Sequence, residues 1–408
     1  MNKINVSEIV YREDLYPRFE PSQATIQKYA YSIEHLPPIK VNQVHILIDG
    51  FHRWKAHQLA GETEIAYEII ETESEKQLKK FAYQLNANHG LQLKSDEKKR
   101  YAQEMIGEMS IKELEIVLSV DQATINRWTS SQREAIKEER NRQIVELYLK
   151  AWNTQQSIAD IIGMTKQAVS DIIEKSSVLH LQKNGQEFLP PLYNIWNLKK
   201  QDNATESHFG SFPLYFMKAL LHYHSEALDI IFDPFAGGGT TVDACKEMFR
   251  RYYCTDREVK PGREKDILQH DIGSGFPDAL PKPSMLFLDP PYWVLAKDEY
   301  SDNETDLGNM TKDQFFAAMK KITDEAKQRK INRIAYVIRP IWETGNEKWD
   351  WVDPMFELYN DIKDKYKIEA RYVLPYSTEQ YSGLWVNRAK EKNQALILNR
   401  ELTVFKLI

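Results

Sequence analysis

A strand that runs into a Gly-rich turn and then a helix is the feature that most constrains the fold of this 408-residue chain. The segment extends from Leu228 to Thr241, with three consecutive glycines (237–239) after an apolar run that ends at Asp233. Glycine lets the backbone approach a ligand closely, and ligands of α/β sheets bind where strands end in such turns. The pattern therefore predicts a ligand site at the carboxyl end of this strand.

The rest of the C-terminal half alternates apolar runs with helical patterns, which is typical of an α/β sheet with parallel strands. The predicted strands are Ile230–Phe232, Tyr252–Cys254, Met285–Leu288, Ile334–Ile338 and Ala395–Leu398. The chain is longer than one hydrophobic core usually supports, so we expect a multidomain α/β protein.

Acidic residues end the apolar runs that follow the Gly-rich turn. Asp256 ends the next run, where a carboxylate can bind ribose hydroxyls, and Asp271 ends the following one and is a candidate for holding an adenine amine. Asp289 ends a further run and opens the tetrad Asp289-Pro290-Pro291-Tyr292.

Two of these segments together resemble a known enzyme family. Asp-Pro-Phe-x-Gly-x-Gly from Asp233, followed by the tetrad from Asp289, resembles the amino-methyltransferases that modify adenine N6 or cytosine N4 in DNA. His208-Phe209-Gly210-Ser211-Phe212-Pro213 resembles the remaining cofactor motif of that family. The resemblance covers about residues 190–408 and implies a Rossmann-like fold with a mixed, mostly parallel sheet and S-adenosylmethionine as cofactor. The cofactor-binding residues that it implies are His208, Phe212, Asp233, Phe235, Gly237, Gly239, Thr240, Asp256 and Asp271.

The chemistry of amine methylation suits the tetrad. An exocyclic base amine is a poor nucleophile because its lone pair is delocalised into the ring. Asp289 and the carbonyl of Pro290 can accept its two hydrogens, and Pro291 helps to fix the backbone that presents that carbonyl. Tyr292 can stack on a base that has flipped out of the duplex. The resemblance implies these catalytic roles.

The resemblance also bears on the base that is methylated. Within that family, Asp at the first tetrad position leans towards adenine N6 and Ser towards cytosine N4, so the resemblance implies adenine N6, and cytosine N4 remains the alternative. Carbon-5 methylation is not expected, since neither Cys245 nor Cys254 follows a proline. Two cysteines also exclude a disulfide framework and a Cys-rich metal site, so no metal is expected.

The segment 94–178 is predicted to be a helical DNA-binding block with two helix-turn-helix units. In the second unit, Gly163 makes the turn between the helices, and in the first Ser119 stands where glycine is usual. A plain helical hairpin remains the alternative for each. Candidate DNA-binding residues are Gln122, Thr124, Asn126 and Arg127 in the first unit, and Lys166, Gln167 and Ser170 in the second.

The first 93 residues mix short strands with helices, including a strand predicted at Gln43–Ile48 and a helix at Phe51–Leu59. They resemble the ParB/sulfiredoxin-like domain of partition proteins through four segments, which are Tyr16–Arg18, Leu36–Ile39, Ile48–Arg53 and Asn86–Gly90. A turn at Gly50 with His52 and Arg53 predicts a phosphate site for a nucleotide or for DNA. Phe51 stands where sulfiredoxins have their reactive cysteine and many partition proteins a glutamate, so neither reductase activity nor CTP turnover is expected.

The complete prediction is a ParB-like domain (1–93), a helical block (94–178), a linker (179–189) and a methyltransferase domain (190–408). We expect duplex DNA as the partner, and we expect the N-terminal regions to choose the DNA sequence that is methylated. Whether the protein forms a homodimer is left open. The net charge of −6 is mild evidence against nucleic-acid binding, and a local basic face would outweigh it.

No apolar stretch approaches the roughly 20 residues of a membrane span, and the N-terminus has no signal core, so a cytoplasmic, nucleoid-associated protein is expected. A non-catalytic ParB-like regulator and a methyltransferase acting on RNA or protein are the alternatives.

Overall fold

The computed structural model describes residues 2–88, 93–184, 188–197, 212–291, 293, 306–344, 349–375 and 382–408. The chain divides into two units, Met1–Arg140 and Asn141–Ile408. The division falls inside one helix, Ser130–Leu149. The predicted limits at residues 93, 178 and 190 thus differ from the point at which the structure divides.

The first unit combines a small sheet with a series of helices. In chain order its elements are β1 (Asn2–Asn5), α1 (Gln23–Ala30), β2 (Ile39–Val41), β3 (Leu47–Asp49), α2 (Phe51–Ala60), β4 (Glu64–Ile69), α3 (Glu75–Asn88), α4 (Ser95–Met105), α5 (Ile111–Leu118), α6 (Gln122–Trp128) and the first part of α7 (Ser130–Leu149). The strand order is β1-β4-β2-β3, with β2 parallel to β4 and the other pairs antiparallel. The small sheet with its helices is the α+β fold that the sequence predicts for residues 1–93, and α4 to α7 lie beyond that range.

The predicted helix after Gly50 is confirmed, whereas the strand predicted at Gln43–Ile48 is largely wrong. Gly50 and Gly61 have positive φ angles of 103° and 76° and bound α2 on either side. The side chain of Asn42 accepts hydrogen bonds from the backbone N–H groups of Val44 and Ile46, at 3.1 and 2.8 Å. These bonds hold a turn where the strand was expected, and β3 therefore begins only at Leu47.

Helices α5 and α6 form the first predicted helix-turn-helix unit. Ser110 and Glu113 make a capping box at the start of α5, and Asp121 caps α6. Ser119 adopts φ +51° between the two helices, the left-handed conformation that glycine usually supplies. Leu114 and Ile125 are buried between the helices.

The second unit contains the remaining helices and a seven-stranded sheet. After the end of α7 its elements are α8 (Gln155–Ile162), α9 (Lys166–Asn184), α10 (Leu214–His224), β5 (Ile230–Asp233), α11 (Thr240–Met248), β6 (Arg251–Asp256), β7 (Leu268–Gln269), β8 (Met285–Leu288), α12 (Lys312–Gln328), β9 (Arg333–Ile338), β10 (Ile341–Thr344), β11 (Trp349–Val352), α13 (Pro354–Ile362), β12 (Tyr366–Pro375), α14 (Gly383–Glu391) and β13 (Asn399–Leu407). Helix α9 continues to Asn184, so it includes the first residues of the segment predicted as a linker.

The large sheet is mixed and mostly parallel, as predicted. Its order is β12-β13-β9-β8-β5-β6-β7, and β13 alone runs against its two neighbours. Side chains of β5 and β8 point alternately into two cores, Phe232 and Leu286 into one and Ile231 and Met285 into the other. A sheet buried on both faces by helices is the α/β arrangement that near-continuous apolar strands require.

Four of the five predicted strands of the C-terminal half are confirmed, as β5, β6, β8 and β9. The fifth, Ala395–Leu398, is wrong, because these residues have no regular structure and β13 begins at Asn399. The carbonyl of Ala395 accepts a hydrogen bond from the indole N–H of Trp342, at 2.9 Å. The segment is therefore held by a side chain instead of by a strand ladder.

The second helix-turn-helix unit, α8 and α9, is attached to the sheet of the second unit. Gly163 makes the turn at φ +75°, and Ile158 and Val169 are buried between the helices. Arg251 at the start of β6 donates to the backbone carbonyls of Tyr148, Ala151 and Asn153, at 2.9, 3.2 and 2.8 Å. These residues lead directly into α8, so one guanidinium anchors its approach.

No helix in the part of the chain that the structure describes is long and apolar enough to cross a membrane.

Candidate functional site

The candidate site lies at the carboxyl edge of the large sheet, between β5 and β8. In the sheet, β5 lies between β6 and β8. The chain continues from β5 to β6 on one side and later returns to form β8 on the other side. A crevice opens outside the carboxyl ends of the strands at such a point, and ligands of α/β proteins bind there. Asp233 ends β5, and Asp289 directly follows β8.

Asp233 holds the Gly-rich turn from within. Its carboxylate is buried and accepts hydrogen bonds from the backbone N–H of Phe235, at 2.9 Å, and from the hydroxyl of Thr241. Burial, with smaller contributions from the charges of Asp289 and Asp256, raises the pKa of Asp233 to about 7. The residue predicted to bind cofactor is thus engaged with the turn itself.

Gly239 stands where a side chain would not fit. It precedes α11 with φ +87°, and a Cβ there would lie 2.9 Å from the guanidinium carbon of Arg263. Arg263 in turn donates to both carboxylate oxygens of Asp243, at 2.8 and 2.7 Å. The turn therefore presents bare backbone and the N-terminus of α11, a favourable position for an anion, close to a fixed cation.

Asp256 connects the end of β6 to the same turn. One carboxylate oxygen accepts the N–H of Gly237, at 2.7 Å, and the other accepts that of Glu258, at 3.0 Å. Burial raises the pKa of Asp256. Asp271, by contrast, is exposed after β7, where it accepts the N–H of Gly273 at 2.8 Å. Both stand at the carboxyl edge, as their positions in the sequence predict.

Asp289 is a partly exposed carboxylate in a poorly solvated position. Burial raises its pKa to about 6, while the positive charge of Arg400 lowers it. Pro290 after it is buried and Pro291 half-buried. Trp293 packs against the rings of Phe315 and Phe316, at 4.9 and 5.4 Å between ring centroids, and this anchors the far end of the segment.

Phe212 and Thr240 meet beside this position. The hydroxyl of Thr240 donates to the carbonyl of Phe212 at 3.5 Å, and the ring of Phe212 stacks on Phe216. The guanidinium of Arg400 lies 4.7 Å from the centroid of the Phe212 ring. Two other predicted residues, His208 and Tyr292, lie outside the described residues.

Sequence reasoning missed Arg263 and Arg400. Arg263 lies in the irregular segment between β6 and β7, and Arg400 lies in the last strand, more than 100 residues after Asp289. No local motif marks either residue. Only the strand order, which places β13 next to β9, could have placed Arg400 near the site.

The candidate DNA-binding residues of the second helix-turn-helix unit lie at the start of α9. Lys166 and Gln167 are exposed and Ser170 is half-buried. The Gln167 amide donates to Asp171, at 2.8 Å. In the first unit Arg127 and Gln122 are exposed, whereas Thr124 and Asn126 are half-buried.

The predicted phosphate site of the first unit has fewer positive charges than its sequence suggests. His52 accepts the N–H of Ser22 through Nε2, at 3.0 Å, and burial with the nearby Arg18 and Arg53 lowers its pKa to about 4. Arg53 is paired with Asp49, at 3.0 Å. His52 is therefore neutral at neutral pH, and Arg53 has a carboxylate partner.

A pocket beside Gly50 is lined by aromatic rings together with Arg12 and Asp49. Tyr11, Tyr16 and Phe51 form its wall, with 4.4 Å between the ring centroids of Tyr16 and Phe51. A Cβ on Gly50 would lie 2.6 Å from Ile39, so glycine is required there for packing as well as for its φ angle.

The described residues contain no group of three or more His, Cys, Asp or Glu side chains that could hold a metal ion.

The order of the large sheet, together with the Gly-rich turn and the acidic strand ends, defines a Rossmann-like α/β unit of the methyltransferase type. The sequence matches the model of the N6_N4_Mtase family, described as DNA methylase, over residues 61–260. The matched region includes the Gly-rich turn and Asp256 and ends before Asp289. The predicted resemblance to DNA amino-methyltransferases is confirmed by this match. A comparison with curated proteins gave no match.

Solved structures similar to this chain are methyltransferases and ParB proteins, the two groups that the sequence resembles. TrmN from Thermus thermophilus is 15% identical, with a TM-score of 0.31, over 49% of this chain and 50% of its own. The putative methyltransferase SMU.1697c from Streptococcus mutans, in complex with SAH, is 9% identical, with a TM-score of 0.25, over 49% and 100%. Truncated ParB from Caulobacter crescentus, complexed to parS, is 15% identical, with a TM-score of 0.19, over 46% and 77%. The chain thus spans half the length of TrmN.

Proposed function

We propose that this protein is a DNA methyltransferase that transfers a methyl group from S-adenosylmethionine to the exocyclic N6 amine of adenine. One observation carries the proposal: the carboxylate of Asp289 stands at the carboxyl end of β8, next to the strand that ends in the Gly-rich turn. A cofactor held by the turn and a base held by Asp289 would meet in the same crevice.

The residues at the turn fit the cofactor. The carboxylate of S-adenosylmethionine suits the N-terminus of α11, where backbone N–H groups lack helical partners, and the nearby Arg263 adds positive charge. Asp256 retains lone pairs for ribose hydroxyls although each oxygen already accepts a backbone N–H. Asp233 shapes the turn that carries these groups. When bound, S-adenosylmethionine supplies an activated methyl group on a sulfonium.

Asp289 and the Pro290 carbonyl act on the base. The ionised carboxylate accepts one amine hydrogen and the carbonyl accepts the other, and the nitrogen lone pair is thereby directed at the methyl group. Two prolines keep that carbonyl rigid, so little reorganisation is needed during the reaction. The rate then depends on positioning of the two reactants. Tyr292 is proposed to stack on the flipped base.

Adenine is proposed over cytosine because the first tetrad residue is Asp289. Duplex DNA is the proposed partner, and both helix-turn-helix units and the ParB-like region are proposed to choose the site. In the second unit Lys166 and Gln167 are exposed at the start of α9, the position from which a recognition helix contacts base edges.

Transfer of tritium from labelled S-adenosylmethionine to duplex DNA, with nucleoside analysis of the product, tests the proposal. Wild type should form N6-methyladenine. Asp289→Ala should lower the rate about 100-fold or more, because alanine removes the acceptor for one of the two amine hydrogens. Asp278→Ala, which removes an exposed carboxylate of the same unit, should change nothing.

The outcomes separate the parts of the proposal. N4-methylcytosine would keep the mechanism and overturn the assignment to adenine. Equal rates for wild type and Asp289→Ala would overturn the catalytic role of Asp289. Absence of label on diverse DNAs, despite cofactor binding, would favour the ParB-like regulator.

A further inference from the structure

Two additions to the large sheet lie at the same edge as Asp289. The hairpin of β10 and β11 begins three residues after β9 ends, and α14 lies between the end of β12 and the start of β13. Strand β9 is parallel to β8, and β13 runs the opposite way. Both additions therefore start from the carboxyl edge. Strand β13 begins there with Asn399 and Arg400, and the charge of Arg400 lowers the pKa of Asp289.

Tryptophans join the hairpin to α14. Trp342 and Trp351 are cross-strand partners on one face of the hairpin, with 5.0 Å between their ring centroids. Trp349 lies two residues from Trp351, hence on the same face, and contacts Trp385 of α14 at 5.8 Å. The amide of Gln394 also donates to the Trp349 carbonyl, at 3.1 Å.

The outer side of this assembly is apolar and basic. Trp351, Leu384 and Trp385 have 53%, 59% and 36% of their surface exposed. The guanidinium of Arg388 lies 5.4 Å from the Trp385 ring centroid, and Lys390 is exposed in the same last turn of α14. Between Ser382 and Arg400 the chain has four basic residues and one acidic residue, although the whole protein is acidic.

We propose that this surface, formed by Trp351, Leu384, Trp385, Arg388 and Lys390, binds duplex DNA next to the target base. The inference rests on the proposed function, since it places the DNA partner at the edge where Asp289 acts. Large apolar side chains that remain exposed among basic ones indicate an interaction site. The cations fit phosphates, and Leu384 and Trp385 fit the exposed faces of bases beside a flipped nucleotide.

The exposed face of α13 lacks this combination. Phe356 is 63% exposed on α13, but its helix neighbour Glu357 is acidic and the helix has no basic residue in its last turn. The proposed surface thus has positive charge beside exposed aromatic rings at the edge of the site. This combination fits DNA, with its phosphates and base faces, better than it fits a protein partner.

Photo-crosslinking of the full-length protein tests the contact directly. Leu384 is replaced by p-benzoylphenylalanine, and Phe356 is replaced in the same way as a matched control. Both proteins are irradiated with short fluorescent duplexes of mixed sequence. We expect crosslinks from position 384 and at least fivefold fewer from position 356. Equal yields at the two positions would overturn the proposal, and crosslinks at 384 to a copy of the protein itself in place of DNA would do the same.

Charge removal supplies a second readout that does not depend on a crosslinker. The double variant Arg388→Gln/Lys390→Gln should raise KM for DNA about tenfold and reduce the slope of log binding constant against log salt by about two. Lys282→Gln is the control, because Lys282 is exposed before β8 at the opposite edge of the sheet. Wild-type transfer with an unchanged KM and salt slope in the double variant would overturn the surface and leave the proposed function standing. DNA crosslinks from position 384 without methyl transfer by wild type would support the surface and overturn the function.

Discussion

At the scale of residues, the site brings carboxylates together at the ends of neighbouring strands. Burial raises the pKa of both Asp233 and Asp289, to about 7 and about 6, and the charge of Asp289 contributes to the raised pKa of Asp233. Their surroundings nonetheless differ. Asp233 is occupied by two hydrogen bonds within the turn, whereas Asp289 faces the positive charge of Arg400. One carboxylate therefore serves the structure, and the other can take part in a reaction.

Arg400 should set the pH range of the reaction. The ionised carboxylate of Asp289 is the stronger acceptor of an amine hydrogen, and protonation turns one of its oxygens into a donor, so kcat/KM of wild type should fall as the pH drops below about 6. Arg400→Gln removes the charge that lowers the pKa of Asp289, and the acid limb of the profile should move to higher pH. Arg371→Gln, at an exposed pair with Glu401, is the control and should leave the limb in place. An unmoved limb in Arg400→Gln would contradict this prediction.

The predictable part of the site is the part that is local in sequence. Asp233, Asp256 and Asp289 each follow an apolar run, and the Gly-rich turn is contiguous, so these positions could be predicted. Arg400 could not, because it reaches Asp289 only through the order of non-consecutive strands. The neutral state of His52 was equally hidden, since its lowered pKa depends on burial and on the charge of Arg18 from another segment.

At the scale of elements, turns decide where helices begin. Gly239→Ala tests the turn before α11, and Gly262→Ala is its matched control, because the two glycines have φ +87° and +84°. A Cβ at 262 meets nothing within 4 Å, whereas one at 239 meets Arg263. Both variants should lose about 1 kcal/mol of stability from left-handed strain.

Only Gly239→Ala should also weaken binding of S-adenosylmethionine, by about tenfold, because the approach to the backbone is closed. Calorimetric titration with the cofactor measures this loss, and thermal unfolding measures the strain. Equal affinities in the two variants would show that the turn before α11 is not the cofactor site.

Secondary structure was predictable where periodicity and turn chemistry agree, as at α2, β5 and β8. It failed where a side chain supplies the backbone's hydrogen bonds. Asn42 does so before β3, and Trp342 does so at Ala395. Ser119 shows the opposite case, since a helix-turn-helix pattern without its usual glycine still has the left-handed turn.

At the scale of the whole molecule, the second helix-turn-helix unit belongs to the same unit as the large sheet. Its core of Ile144, Ile158 and Val169 also contacts Leu228. Trp152 packs edge-on against Tyr252 and Tyr253 of β6, and His180 of α9 stacks on Phe249 at 4.9 Å. A sequence without its fold gives no sign of this attachment, because the contacts join residues about 70 to 100 positions apart.

Truncation at two points tests that organisation. A fragment of residues 141–408 should unfold cooperatively and retain methyl transfer to DNA, with relaxed site choice if the first unit contributes to it.

A fragment that begins at residue 183 loses the buried side chains of Ile144, Leu149, Ile158 and Val169 and the partners of Arg251. Leu149 belongs to the core of the large sheet, and without Trp152 and His180 the rings of Tyr252, Tyr253 and Phe249 would face water. The shorter fragment should therefore fail to fold, as circular dichroism during heating would record. A shorter fragment with the melting temperature and activity of the longer one would mean that the helix-turn-helix unit is an independent attachment.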